Sequence, residues 1–315
     1  MADYINQKYL DKFTVDTEPP EMRFIGEQLL TEVPVKLAAG KVVKWDKFSS
    51  KQIDSKVGVR SPAKEFQVVR TKGTDGTYST DLHYLKDLVT DREKEEYQDF
   101  TSLAEDTITG LKKLLRIERE IEVAALAHSN IAGTSGTYHF TPTVKWNATT
   151  GTIIVEKDIR TAIAAFKANA LIKPNTLVLP ETLWDEIVMD STLRNTLTLV
   201  PGRPKQDIKL SSILNFLFDN FENIYIPNGL YDTAAKGQTE SLTDIWGNHV
   251  VLLYVKKGKG TTRSFTWGGR YIKQNWQVTQ IPEKDPEGMW YRVGYEDDIQ
   301  EVCATARYVI KDARS

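Results

Sequence analysis

The chain has 315 residues, 40% hydrophobic and 27% charged, which is enough apolar material for a core and excludes wholesale disorder. Forty-one basic against 43 acidic residues leave a net charge of -2 with no long basic run, which excludes a protein built to grip nucleic acid tightly. The single cysteine, Cys303, excludes an internal disulfide framework and a cysteine-based zinc site.

The length allows two domains, or one domain with extensions. The chain opens MADYINQKYLDKF, charged at once and without the apolar stretch of a signal peptide. No window approaches the roughly 18 consecutive apolar residues of a membrane span. The expectation is a soluble protein of a reducing cytoplasm. Cys303, set among Val302, Ala304 and Ala306, reads as a buried structural thiol.

Residues 1–32 scatter Tyr4, Tyr9, Phe13 and Phe24 around Glu18, Pro19 and Pro20, with too little periodicity to fold alone. An arm ordered by a partner and a disordered tail both fit. Residues 33–80 look like an extended ribbon. Lys41–Phe48 partly alternates, and Phe66–Thr71 precedes the turn cluster Lys72–Gly76 with its Asp-Gly pair. A lone two-stranded ribbon is marginal in water, so Val42, Trp45, Phe48, Phe66 and Val68 predict a surface resting on another subunit or on the chain's own β-domain.

Asp91–His128 contains no proline and returns Phe100, Leu103, Thr107, Leu111, Leu114, Ile121 and Ala125 at helical spacing, with Glu118, Arg119 and Glu122 on other faces. As one helix it would span about 57 Å, a strut rather than an ordinary packing element. Ile108, Leu115 and Val123 make a second apolar face that argues against a coiled coil. A break near Gly110 stays open, since glycine costs a helix interior about 1 kcal/mol relative to alanine.

Gly133–Gly136 reads as a flexible junction. A mixed region follows: a helix capped by Asp158, a strand Thr176–Leu179, a helix begun by Pro180, a helix at about Ile208–Phe221, a strand Ile224–Ile226, the turn Ile245–Asn248 and the strand His249–Val255. Aromatic strands are predicted at Ser264–Trp267, Tyr271–Thr279 and Trp290–Tyr295, with a turn Pro282–Gly288 and a buried strand in Gln300–Ile310.

No chemistry stands out. His83, His128, His139 and His249 lack the i, i+4 spacing of a helical zinc pair and read as surface or packing residues. Lys257–Thr262 resembles a phosphate loop only superficially and reads as a solvated turn; GxSxG and GxGxxG are absent. No catalytic residue, cofactor or metal is expected.

The order of arm, ribbon, strut helix, inserted α/β region and returning aromatic strands resembles the major capsid proteins of tailed bacteriophages, with their Hong Kong 97-type fold. The local carriers are NTLVLPETLWDEI (Asn175–Ile187), DIWGNHVVLLYV (Asp244–Val255) and ATARYVIKDA (Ala304–Ala313). The resemblance implies an α+β fold with an N-terminal arm (1–32), an extended β-hairpin loop (33–80), a peripheral domain (81–136 and 256–315) with its spine helix at 91–128, and an inserted α/β axial domain (137–255). It implies a non-enzymatic shell subunit that assembles through hexamers and pentamers around double-stranded DNA, in the virion capsid, built in the host bacterial cytoplasm.

Partners implied are further copies of the chain, a portal protein, a decoration protein and weak non-specific contact with packaged DNA, with no membrane. The start at Met1 implies a separate scaffolding protein rather than a cleaved segment. Subunit-interface candidates are Trp45, Phe48, Arg60, Phe66, Val68, Asp285 and Glu287, and Gly110 is the candidate bend in the spine helix. Lys41, Lys44, Lys47, Lys51 and Lys56 match a crosslinking lysine by type alone, and no crosslink is predicted. The alternative is a phage binding module, tail-associated or carbohydrate-binding, which an exposed row of aromatics would favour. A hydrolase has only the mixed α/β middle for support.

Overall fold

The computed structural model describes residues 23–46, 73–96, 100–148, 155–189, 221–234 and 238–315. The expected helix at 208–221, apart from Phe221, and the expected strand Phe66–Thr71 lie outside these.

Two long strands, β12 (Gly268–Lys284) and β13 (Glu287–Glu301), form an antiparallel hairpin. On either side lie β1 (Thr31–Pro34), parallel to β12, and β4 (Asp81–Thr90), antiparallel to β13. Tyr291, Val293 and Tyr295 alternate onto one buried face of β13 and meet Val89, Val278 and the long helix. Opposite that hairpin, Gly294 pairs with Tyr84, and a Cβ there would sit 2.2 Å from the His83 carbonyl, so only glycine lets β4 approach.

Helix α1 (Asp91–Glu96) opens with a reciprocal cap: the Glu93 amide donates to Thr90 Oγ1 at 3.2 Å, and the Thr90 amide donates to the Glu93 carboxylate at 2.8 Å. Residues 97–99 lie outside the description, and α2 (Phe100–Ala127) then runs unbroken through Gly110. Its buried face is Ala104, Ile108, Leu111, Leu115, Arg119, Val123 and Ala127. This corrects the face expected from sequence: Leu114 is 57% exposed, while the stripe through Ile108, Leu115 and Val123 faces the core. Arg119 lies one turn from Leu115 and from Val123, and it is tolerated there because its guanidinium is paired.

The second sheet is built from β5 (Ser135–Gly136), β6 (His139–Phe140), β7 (Thr176–Val178), β8 (Asn223–Tyr225), β11 (Val250–Leu253) and β14 (Arg307–Ile310) in the order β5-β6-β14-β11-β7-β8. Strands β7, β11 and β14 are buried along their whole length, the pattern of a sheet covered on both faces. Ile159, Ala162 and Phe166 of α3 (Val155–Ala170) and Leu183, Trp184 and Ile187 of α4 (Glu181–Met189) join the same core, as do Val123, Ala124 and Ala127 of α2. The long helix therefore belongs to both cores. A small hairpin of β9 (Leu230–Asp232) and β10 (Leu242–Asp244) projects from this region.

Several local expectations are corrected. The chain after residue 255 does not stay with the long hairpin: β14 pairs with β11 and β6, because an RYVI run buried on both faces fits only a covered sheet. Ser264–Trp267 is not a strand; a turn closed by the Ser264 amide on the Thr261 carbonyl leads in, and the strand starts at Gly268. Ala304–Ala306 is a single 3-10 turn before β14. The turn expected over Pro282–Gly288 narrows to the cis-linked Asp285-Pro286. Ser135 and Gly136 form a strand rather than a flexible joint. Asp158 does not cap its helix, which begins at Val155; its carboxylate accepts the Trp146 indole N–H at 3.0 Å.

Candidate functional site

Three places carry the candidate residues: the root of the ribbon, the tip of the long hairpin, and a buried junction under α2.

At the ribbon root, β2 (Ala39–Lys44) pairs with β3 (Thr74–Ser79). The Asp75-Gly76 pair, expected to turn, instead lies in the strand opposite Val43 and Val42. Cross-strand pairing outweighs the local turn preference, and Gly76 leaves room for the Lys44 stem, 3.0 Å from where a Cβ would be. Tyr78 stacks on Tyr271 at 4.9 Å between ring centroids, over Val33 and Val42. Trp45 is half-buried, edge-on to Phe265 at 6.2 Å, and its amide donates to the Val302 carbonyl. The Asp46 carbonyl accepts from Thr305 Oγ1 at 2.5 Å, and Cys303 is the buried thiol expected, raised by burial. Phe48, Arg60, Phe66 and Val68 lie outside the described residues.

The hairpin tip lies at the far end of β12 from Tyr271, on which the ribbon root packs. Fourteen strand positions from Tyr271, it stands about 45 Å away at the usual rise. Asp285 and Glu287 are both exposed there. Behind them the Trp290 indole donates to Glu283 at 3.0 Å and Lys86 lies over the Trp290 ring at 4.2 Å. That hydrogen bond, with backbone donors, holds the Glu283 carboxyl below its usual range. Gly110 sits on the exposed face of α2 with nothing within 4 Å of an added Cβ.

The buried junction escapes a reading by sequence. Asp297, 2% exposed, accepts from Arg119 Nη2 at 2.7 Å and from Arg270 Nε at 2.5 Å. Glu27, from the short 3-10 turn Gly26–Leu29, pairs with Arg119 and lies 3.4 Å from Arg270. The Arg119 guanidinium also lies over the Tyr295 ring at 3.6 Å. The next residue of the helix, Glu120, accepts from the amides of Ile25 and Gly26 and, at 2.6 Å, from the Trp246 indole. Segment 25–30 is thus fastened to α2 and to the long hairpin by charges that face inward. The cleft above, lined by Phe24, Glu27, Gln28, Arg116, Arg119 and Glu120, has a volume of about 60 Å³. Small-molecule sites occupy roughly 300–1,000 Å³, so this one has room only for water. Among the described residues no three of His, Cys, Asp or Glu are grouped to hold a metal.

The two glutamates respond to pH with opposite sign. Burial would raise Glu27, but Arg270 and Arg119 outweigh it and hold the carboxyl below its ordinary 4.5. Glu120 is raised by burial, which its hydrogen bonds from Trp246, Gly26 and Ile25 only partly offset. Glu27 therefore stabilises docking of this segment above the ordinary carboxyl value and loses that contribution as pH falls. Glu120 contributes below that value and loses its contribution as pH rises through its own raised one. Docking should be tightest near the ordinary carboxyl range. In urea melts, the destabilisation caused by Glu120→Gln is expected to shrink from pH 5 to pH 8, and that caused by Glu27→Gln to shrink from pH 6 to pH 3.5. Parallel, pH-independent offsets would contradict this.

No protein-family model and no curated protein matches the sequence. Solved structures do match its fold. A phage-related protein from Bordetella bronchiseptica RB50 superposes with a TM-score of 0.71 at 19% identity, covering 97% of each chain. The capsid of the cyanophage P-SCSP1u gives a TM-score of 0.55 at 12% identity over 94% of this chain and 90% of that one. The capsid of the myovirus XM1 gives 0.53 at 10% identity over 94% of each. The fold is the α+β Hong Kong 97-type fold of tailed-phage capsid proteins, over nearly the full chain.

Proposed function

We propose that the chain is the major capsid protein of a tailed phage, a structural subunit that assembles with copies of itself through hexamers and pentamers into an icosahedral shell around double-stranded DNA. The observation that carries this is the match of the whole arrangement to phage capsids over at least nine-tenths of both chains. Composition supports it too, because a shell must enclose DNA without gripping it, and a net charge of -2 avoids the counterion release of a basic surface.

In this reading residues 1–32 are the N-terminal arm, 33–80 the extended loop, 81–136 and 256–306 the peripheral domain with its spine, and 137–255 the axial domain, whose sheet β14 (Arg307–Ile310) completes. The ribbon, with Trp45 at its root and Phe48, Arg60, Phe66 and Val68 beyond, lies over a neighbouring subunit. The acidic tip, Asp285 and Glu287, meets other capsomers. Gly110, on the open face of the spine, is where the helix bends when the shell changes form. A separate scaffolding protein, a portal protein and a decoration protein complete the partners, and assembly takes place in the host bacterial cytoplasm. No residue is catalytic.

The binding-module alternative needs an exposed aromatic row. Trp146, Trp246 and Trp267 are instead fully buried, as are Tyr271, Tyr291 and Tyr295, which favours the shell. Electron microscopy of the protein expressed with and without its scaffold is the test. Closed shells or rings of five and six are expected, and a monomer under every condition would overturn the reading. Asp285→Lys with Glu287→Lys is expected to lower shell yield while leaving the subunit's thermal unfolding unchanged.

A further inference from the structure

The last residues of the chain are pinned beside the end of α2, around a pair of histidines. The Asp312 amide donates to His249 Nδ1 at 3.0 Å. The Ala313 amide donates to the Asn248 carbonyl at 2.9 Å, and the Ala313 carbonyl accepts from the Trp146 amide at 2.8 Å. The His249 ring meets His128 edge to face at 4.7 Å between centroids, and His128 meets Trp246 in the same way at 5.7 Å.

This geometry accepts only neutral rings. A ring nitrogen that receives an N–H must offer a lone pair, so Nδ1 of His249 carries no proton. A proton there would oppose the Asp312 amide hydrogen and turn the ring toward the Asp312 carboxylate, 3.5 Å away. His128, although partly covered as a residue, has its Nε2 closed off from solvent with no hydrogen-bond partner. Beside it, the Arg307 guanidinium donates to the Ala127 and Ser129 carbonyls, so a second cation would face a fixed one. The other charged groups around the pair are Lys311 and Asp312 of the C-terminal residues, Glu301 paired with Arg307, and Lys145, whose ammonium donates to the Asp312 carbonyl. Glu120 lies across the Trp246 indole.

We propose that His128 and His249 form a proton-operated latch, which holds Lys311–Ala313 and the turn Trp246–His249 against the end of α2 when both rings are neutral and releases them when the rings are charged. The inference goes beyond the shell reading and does not depend on it. Burial, His249 and Arg307 push His128 from 6.5 down to about 3, and burial lowers His249 despite Asp312. Rings held below their ordinary value cost nothing above it and destabilise the latched form progressively as pH falls beneath 6.5. Each pH unit is worth about tenfold, so the released fraction rises roughly 100-fold between pH 7 and pH 4.5.

Amide hydrogen exchange on the full chain, corrected for intrinsic rate, reads this directly. The Asp312 and Ala313 amides are expected to lose roughly 100-fold in protection at pH 4.5, while the amides of Tyr291 and Val293 in the long hairpin stay protected. His249→Asn, whose side-chain oxygen can accept the Asp312 amide but cannot take a charge, and His128→Phe should each reduce the loss. Unchanged protection at pH 4.5, a loss spread equally over the long hairpin, or a full acid response in both variants would overturn the latch. So would a His128 ring proton in the unmodified protein that titrates by NMR above pH 5.5.

Discussion

Asp297→Ala is expected to lower the free energy of unfolding by about 3–5 kcal/mol, the cost of leaving buried charges without their partner. Two guanidiniums converge on that carboxylate, and Arg119, Arg270 and Asp297 are each no more than 2% exposed. Glu27 lies within ion-pair distance of both arginines, but it is itself partly open to solvent and leaves the Asp297 side of each guanidinium unanswered. The loss should be visible as a lowered urea midpoint with little change in slope. Asp297→Leu combined with Arg270→Met is expected to recover part of it, because replacing a buried pair by apolar groups removes the desolvation cost with the attraction. A loss below about 1 kcal/mol would mean that water reaches the junction, and the buried network would then be the wrong description.

Trp267→Ala is the second large expectation, at about 3–5 kcal/mol for a fully buried indole. The residue stands where the chain crosses from the second sheet into the long hairpin. Its indole N–H donates to the Leu29 carbonyl at 2.6 Å, and its own carbonyl accepts the Val302 amide at 2.8 Å. Trp267→Phe keeps most of the ring but strands the Leu29 carbonyl, for a smaller cost of about 1–3 kcal/mol. A thermal melt separates the two. Equal losses for alanine and phenylalanine would show that the hydrogen bond, and not the packing, holds the segment down.

The parts legible in the sequence were those with a local period. Helix α2 announced itself because a run from Phe100 to Ala127 without proline returns apolar residues every three or four positions. Which stripe would be buried was not legible, because two stripes of similar character exist and the sheet beneath chooses between them. Arg119 shows the same limit from the other side. A lone arginine in a helix reads as solvated, and only Asp297, 178 positions later, makes it an interior residue. Strand β11 was readable as an uninterrupted apolar run, whereas the pairing of β2 with β3 was hidden by a dipeptide that favours turns. Of the candidate site residues, Trp45, Asp285, Glu287 and Gly110 can be placed, at the ribbon root, at the tip of the long hairpin and on an open helix face. The inward-facing junction left no local trace, since it joins groups from four elements.

The position of β14 has a consequence for how the protein is made. Arg307–Ile310 comes last along the sequence among the strands of its sheet, yet it lies inside that sheet between β6 and β11. Until those residues emerge, β11 and β6 present unpaired edges and the interior around Val250–Leu253 is open. A growing chain therefore cannot complete this sheet until Ile310 has emerged, however early β5 and β6 were made. Emergence of Ile310 is therefore the moment at which these sticky edges close, and a chain cut before Arg307 would keep them open to stray pairing.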